Sequence, residues 1–274
     1  MLRLTPGRPG PIRHAPAPIY SVKVQSVKRL QATLTWRRDT KPELVVCRAC
    51  LQDAKSHYMH LVGYDKQDRP IIYSCLALAK NKVYADNHDH MVQTFEMAIK
   101  CMGPKCSQWV WICDFHGFGM GDVNPKLAKA FLDISATHYP ERLGLFMVVD
   151  APSLFTLLWN AISSWVDPKT HQKIKFLPYD ATSSKSKLVT AMAEVVDPVT
   201  LGWLQREMAE NRDKATAKTK AYDMSSMHRC ASSGQLLTTP RGDSGHDHRG
   251  SPALLSAYAS SPTLLEPQAT SKLE

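Results

Sequence analysis

The amino-acid sequence predicts an α/β protein with a largely parallel sheet flanked by helices. Three observations carry that expectation. Residues 145–149, Leu-Phe-Met-Val-Val, are too uniformly apolar for a half-exposed strand and mark a central strand covered on both faces. Strand-like runs precede it at 60–64, 70–75 and 109–113. Longer segments with helical character follow these runs, and strands alternating with helices assemble as layers around a parallel sheet.

Taken in order, residues 1–20 form a basic, proline-rich leader without expected structure. Asp39 is the first acidic residue. That bias is compatible with an organellar targeting peptide, although the prolines up to Pro18 argue against one continuous targeting helix. Residues 21–41 hold a helix over 22–38, with Val24, Val27, Leu30 and Leu34 at helical spacing and Pro42 as its break. Residues 44–58 read as neither helix nor strand. The strands at 60–64 and 70–75 flank a turn, Asp65-Lys66-Gln67-Asp68-Arg69. A helix over 89–101 takes Asp86, Asn87 or Asp89 as its cap. The aromatic strand 109–113 ends at Asp114, and a second long helix covers 124–139, with Pro125 in its first position. After 145–149 come an apolar helix over 154–166, a turn at Asp167-Pro168-Lys169-Thr170 and a short strand. Helices at 188–196 and 201–211 complete a main domain over 42–214. Residues 215–274 become rich in Ser, Thr, Gly and Pro and form a largely disordered tail.

The net charge of +9 favours an anionic partner. Lys and Arg are not interleaved with aromatic residues in a long tract, so nucleic acid is not the expected ligand. No apolar stretch reaches the length of a membrane span. Seven cysteines without the spacing of a small secreted scaffold read as reduced thiols, which places the protein in the cytoplasm.

The specific signal is Tyr139-Pro140-Glu141-Arg142-Leu143-Gly144, followed by Ala151-Pro152 and by Asp167-Pro168-Lys169-Thr170. Asp114-Phe115-His116-Gly117 stands at a strand end, and Asp65–Pro70 precedes Ile71-Ile72-Tyr73, with Asp68 where a glycine is usual. In these motifs the chain resembles the CRAL-TRIO (Sec14-like) lipid-binding lobe from Trp36 to about Pro178. The resemblance implies a mobile gate helix over an apolar pocket, and a helical N-terminal domain that is reduced or truncated here to the 22–38 helix. It implies binding and transfer or presentation of a membrane lipid, phosphatidylinositol or a phosphoinositide, by a monomer with transient peripheral attachment to an anionic membrane. A bound phospholipid or other hydrophobic ligand takes the place of a cofactor.

By the same resemblance, Glu141, Thr170 and Lys173 fall on headgroup-binding positions. Lys173 offers a compact charge to a phosphate, and Thr170 offers a hydroxyl. The cavity and gate would use Trp109, Trp111, Phe155, Leu157, Leu158, Ile162 and Trp165. Phosphatidylcholine-binding members carry a Ser-x-Thr pair where Trp109 and Trp111 stand, so exchange of two lipids is less expected than binding of one. The gate residues also suggest the assignment on their own, because they do not form one narrow stripe. Such a helix is either fully buried or has protein on one side and lipid on the other.

Rival classes are weaker. Asp114, His116 and His138 are available as acid, base and orienting groups, but nothing fixes them together and no nucleophile elbow is present, so no enzyme and no catalytic residue is expected. Cys47 and Cys50 have zinc-pair spacing, with Cys101 and Cys106 as candidates to complete four ligands. The four-residue gap in the second pair favours isolated thiols, and no metal site is expected. His88-Asp89-His90 reads as helix-cap and surface chemistry. The remaining alternative is a degenerate lipid-binding fold acting as a non-catalytic protein-interaction module, with a closed core under the 154–166 helix.

Overall fold

The computed structural model describes residues 19–220 apart from 182 and 184, and the side chains of 19–25, 156, 158, 162 and 165 lie outside that description. The chain divides into two units, 1–238 and 239–274. The leader and most of the tail, including all of the second unit, therefore fall outside the described residues, as do the side chains of Leu158, Ile162 and Trp165.

Five strands form one sheet in the order β1 (Met59–Tyr64), β2 (Pro70–Cys75), β3 (Trp109–Asp114), β4 (Leu143–Val149) and β5 (Ile174–Leu177). The β1–β2 pair is antiparallel, and the three remaining pairs are parallel. The sheet is mixed and largely parallel, flanked by helices on both faces. β4 lies between β3 and β5, with Leu145, Met147, Val148 and Val149 buried and Leu143, Gly144 and Phe146 half-buried.

Side-chain alternation divides the core. Val110, Ile112, Leu145, Met147 and Val149 face one cluster. Leu188 and Met192 from α7 (Lys187–Val195), with Leu204 and Met208 from α8 (Pro198–Arg212), fill that side. Trp109, Trp111 and Val148 face the other cluster. There they meet Phe95 of α3 (Tyr84–Lys100), Ile134 of α4 (Pro125–His138) and Phe155 of α5 (Ser153–Ile162).

Local chemistry sets the helix starts. Asn124 accepts from the Leu127 amide at 3.1 Å, with Pro125 in the first turn of α4. Asp167 and Asp197 cap α6 (Pro168–Gln172) and α8 in the same way, each followed by proline. α3 begins at Tyr84, earlier than its expected caps; Asp86 lies inside the first turn and pairs with Asn81 instead. His90, expected at the surface, is only 3% exposed within α3. The ambiguous 44–58 segment contains a 3-10 turn at Pro42–Leu44 and the short α2 (Arg48–Gln52).

The first helix, α1 (Ile19–Thr40), differs from its sequence reading in the face it docks. Val27, Leu30 and Leu34, the periodic apolar residues, are each more than half exposed. Thr33, Trp36 and Arg37 make the contacts. Trp36 stacks on His138 with ring centroids 4.1 Å apart, and Thr33 Oγ1 donates to the Thr137 carbonyl. Arg37 makes a two-pronged pair with the buried Glu96 at 2.8 and 3.0 Å. Tyr139 donates to the same carboxylate at 2.8 Å, so the motif tyrosine ties α1 and α3 to the start of β4. Burial, followed by the Glu96 charge, pushes the Tyr139 phenol well above its ordinary range.

Candidate functional site

A pocket of about 560 Å³ opens at the C-terminal ends of β4 and β5. Val148, Phe176 and Leu177 form its floor, and Phe155 and Trp159 cover it from α5. These two rings stand one helical turn apart, which puts both on the same side of α5. Phe155 lies 4.3 Å from the Phe115 ring, and Trp159 meets Phe176 edge-on at 5.5 Å. Leu157, between them in sequence, points away and is 68% exposed. Helix α5 thus has an apolar residue on its outer side as well as apolar rings over the pocket. Such a volume lies within the range of small-molecule sites.

The polar rim of the pocket is Asp150, which shares one guanidinium with Asp114. Asp150 sits in the left-handed region at φ +57° and accepts from Arg212 Nη2 at 2.9 Å. The same guanidinium grips Asp114 at 2.7 and 3.0 Å and lies 3.5 Å from the Tyr179 ring centroid. Burial opposes the Arg212 charge, but the bonds to Asp114 and then Asp150 overcome it and raise its pKa. Asp114 is fully buried in this pair, at the end of the sheet opposite His138, which stacks on Trp36. Of the imagined catalytic trio only Asp114 and His116 are neighbours in the chain, and His116 Nδ1 is directed at Asp150, 3.7 Å away.

At the other end of β4 the structure brings Glu141 and Lys173 together, with Lys173 Nζ donating to Glu141 Oε2 at 3.5 Å. Glu141 is held at φ +58°, and its carbonyl accepts from Gln108. Lys173 is fixed by its own carbonyl, which accepts from the Phe146 amide at 2.8 Å. Thr170 is one turn away, but its hydroxyl donates to Asp167 and completes the α6 cap. That bond is the main reason the Asp167 carboxyl lies below its usual range. Gly144 admits the turn: a Cβ there would lie 2.8 Å from Arg69 Nη1 and 3.2 Å from the Trp109 carbonyl. Arg69 cannot easily retreat, because Asp65 holds it.

Lys173 immediately precedes Ile174 of β5, and Phe176 of the pocket lies three residues beyond Lys173, so about 10 Å at strand rise separates Lys173 from the pocket. Phe146 and Val148 line the face between them, in register with Ile174 and Phe176 of β5. Trp111 adjoins this strip, 5.0 Å from Phe146, and donates through its indole N–H to Ser74. Trp109 is farther back, stacked on Phe95 at 4.6 Å. Both indoles fill the sheet face under α3 and α4, which leaves the opening on the β4–β5 side. Phe176 lines the pocket and the buried Phe115 supports Phe155 behind it, neither having been singled out from sequence. Their signal was present in the aromatic residues at and beyond strand ends.

The CRAL/TRIO domain family profile matches residues 54–198. A CRAL-TRIO domain-containing protein of Schizosaccharomyces pombe is 31% identical over 59% of this chain and 16% of its own length. The phosphatidylinositol transfer protein CSR1 of Eremothecium gossypii is 30% identical over 42% of this chain and 27% of its own. The phosphatidylinositol/phosphatidylcholine transfer protein SFH12 of Arabidopsis thaliana is 30% identical over 51% of this chain and 28% of its own. A crystal structure of Sfh5 aligns with a TM-score of 0.49 at 18% identity, covering 60% of this chain and 63% of that one. The chain thus spans less than a third of the length of these three sequence relatives. The profile match covers more than half of the chain, which belongs to the CRAL-TRIO, Sec14-like domain family.

Proposed function

We propose that the protein binds one membrane lipid, phosphatidylinositol or a phosphoinositide, and transfers or presents it without breaking a bond. The observation that carries this reading is the apolar pocket beneath α5, a helix that also keeps Leu157 on its outer side. Names of relatives that state phosphatidylinositol transfer support the same class of ligand. The distance of about 10 Å from Lys173 to Phe176 lets one lipid reach both, since a leaflet is about 20 Å deep. In this pose Lys173 meets the phosphate and Glu141 accepts from inositol hydroxyls. The acyl chains run along Phe146 and Ile174 towards Phe176.

Exchange would occur at an anionic, cytoplasm-facing membrane, with α5 as the moving cover and Leu157 entering the bilayer. Chains that pass from bilayer to pocket stay out of water throughout, so the step is reversible. Native mass spectrometry followed by lipid extraction tests the reading: a stoichiometric inositol lipid is expected. A folded chain that carries no lipid and fails a loading assay overturns it in favour of a protein-interaction module. Lys173→Ala tests the pose, with affinity for phosphatidylinositol vesicles expected to fall about tenfold and that for neutral lipid unchanged. Equal binding of both lipids by parent and variant removes Lys173 from the headgroup site.

A further inference from the structure

Four metal-ligating side chains meet at a point the lipid reading does not use. Cys47 is the N-cap of α2 and Cys50 lies in its first turn, so their three-residue spacing puts both thiols on one side. His57 comes from the segment entering β1, and His90 from α3. All four are buried, between 0 and 4% exposed. Their ligand atoms lie within 4.8 Å of one another. Cys47 Sγ is 3.4 Å from His57 Nδ1, Cys50 Sγ is 3.3 Å from the same nitrogen, and Cys50 Sγ is 3.4 Å from His90 Nδ1.

From this arrangement we propose that Cys47, Cys50, His57 and His90 bind a structural zinc ion. A tetrahedral ion with its usual Zn–S and Zn–N lengths sets sulfur–nitrogen edges of about 3.6 Å, close to those observed. The outer contacts suit the role. His90 Nε2 is 2.8 Å from the Met59 carbonyl, and donating to that oxygen leaves Nδ1 its lone pair for the cluster. The Cys47 amide donates to Gln93 Oε1 at 2.8 Å, which fixes the α2 segment against α3. Charge balances: two thiols lose their protons to solvent as Zn²⁺ enters, so two thiolates, two neutral imidazoles and the ion form a buried group of no net charge. Four protein ligands without an exposed position make the site structural rather than catalytic.

The location explains what such an ion would do. Between α1 and β1 the chain has only a 3-10 turn and the five-residue α2, too little to form a core of its own. The ion would fasten this segment to β1 and to the first half of α3. The Arg37–Glu96–Tyr139 cluster fastens the second half. His57 and His90 thus replace Cys101 and Cys106 as the expected partners of the Cys-x-x-Cys pair. His57, seven positions beyond Cys50, was within local reach of the sequence, whereas His90 lies forty positions beyond it and only the α3–β1 packing brings it close.

The test uses the full chain, purified with reductant and without chelator. Elemental analysis is expected to give about one zinc per chain. Replacement of zinc by cobalt(II) is expected to give the intense visible bands of a tetrahedral ion and a sulfur-to-cobalt charge-transfer band. Cys47→Ser and Cys50→Ser should each weaken zinc binding at least about tenfold, and His57→Ala likewise, whereas His57→Cys restores it and Cys113→Ser leaves it intact. Should the cysteine variants fail to fold, the parent chain's cobalt spectrum still decides, because its charge-transfer intensity reports thiolate ligands. A reduced, zinc-loaded chain that retains no zinc and gives no tetrahedral cobalt spectrum overturns the proposal. So does zinc retained by the Cys47→Ser/Cys50→Ser double variant, or a Cys47–Cys50 disulfide in a chain that takes up no metal after reduction.

Discussion

The two faces of the sheet use the same five strands in different ways. Against α7 and α8 the side chains are largely aliphatic, and Leu188, Met192, Leu204 and Met208 are fully buried. Against α3, α4 and α5 they are largely aromatic, and this layer ends at the pocket, where Phe176 is 49% and Leu157 68% exposed. Aliphatic chains interdigitate and leave little room. Flat rings stacked or tilted on one another form walls, and here Phe155 and Trp159 of α5 continue them to the pocket. One face is a core, and the other is a core that turns into a binding surface along β4.

Each side of the sheet has an ion pair with a buried carboxylate, Arg37–Glu96 beside the aromatic layer and Arg212–Asp114 at the end of α8, and breaking the second should give the largest effect. Arg212 secures the end of α8 to Asp114 and Asp150, while Asn211 beside it donates to Tyr73. Arg212→Ala leaves Asp114, with no exposed surface, without the guanidinium charge that balances it, though Tyr73 and the His116 amide still donate to it. The expected loss is about 3–5 kcal/mol in urea unfolding. A loss below about 1 kcal/mol would mean that aliphatic packing alone closes this face, and the contrast with the other face would shrink.

The open face should respond the opposite way, in function and not in stability. Leu157→Asp changes an exposed position, so the unfolding free energy should shift by less than about 0.5 kcal/mol. With α5 entering lipid as proposed, a carboxylate there should slow vesicle-to-vesicle transfer about tenfold. Unchanged transfer would take the portal away from α5 and leave the pocket as a fixed cleft.

How much of this was legible depended on whether the signal was local. The strands and the Pro125 start follow from neighbouring residues, and the structure has them, whereas Asp167–Thr170, expected as a turn, opens the short α6. The Glu141–Lys173 pairing was readable only through family resemblance, since 32 residues and an entire helix separate the two. Where partner choice decides, periodicity misled: Val27, Leu30 and Leu34 have helical spacing, but the docking face is Thr33, Trp36 and Arg37 because Glu96, His138 and Tyr139 lie there. Asp114 could be seen as a strand-end acid. Its partner Arg212, 98 positions on, could not.

The smallest expected effect comes from a site that belongs to neither face. Asp68 stands where the family's turn carries glycine, and the structure gives the reason: its φ is +59°, in the left-handed region that side chains with a Cβ resist. The turn itself is held by Asp65, which accepts from the Gln67 and Arg69 amides and pairs with the Arg69 guanidinium. Asp68 adds only its backbone, donating to the Asp65 carbonyl at 3.0 Å. Asp68→Gly therefore removes strain without removing a side-chain bond that holds the turn. Glycine's extra freedom in the unfolded chain offsets part of the gain. The expected net change is a stabilisation of about 0.5 kcal/mol, seen as a rise of roughly 1–2 °C in Tm. Lipid loading should not change, because the substitution leaves the Asp65–Arg69 pair, through which the turn meets Gly144 of β4, in place. A fall in Tm would assign the Asp68 carboxylate a stabilising role. A change in loading at constant Tm would show that the two ends of the sheet are coupled, and the division between a solid face and an open one would then have to include the strand edges.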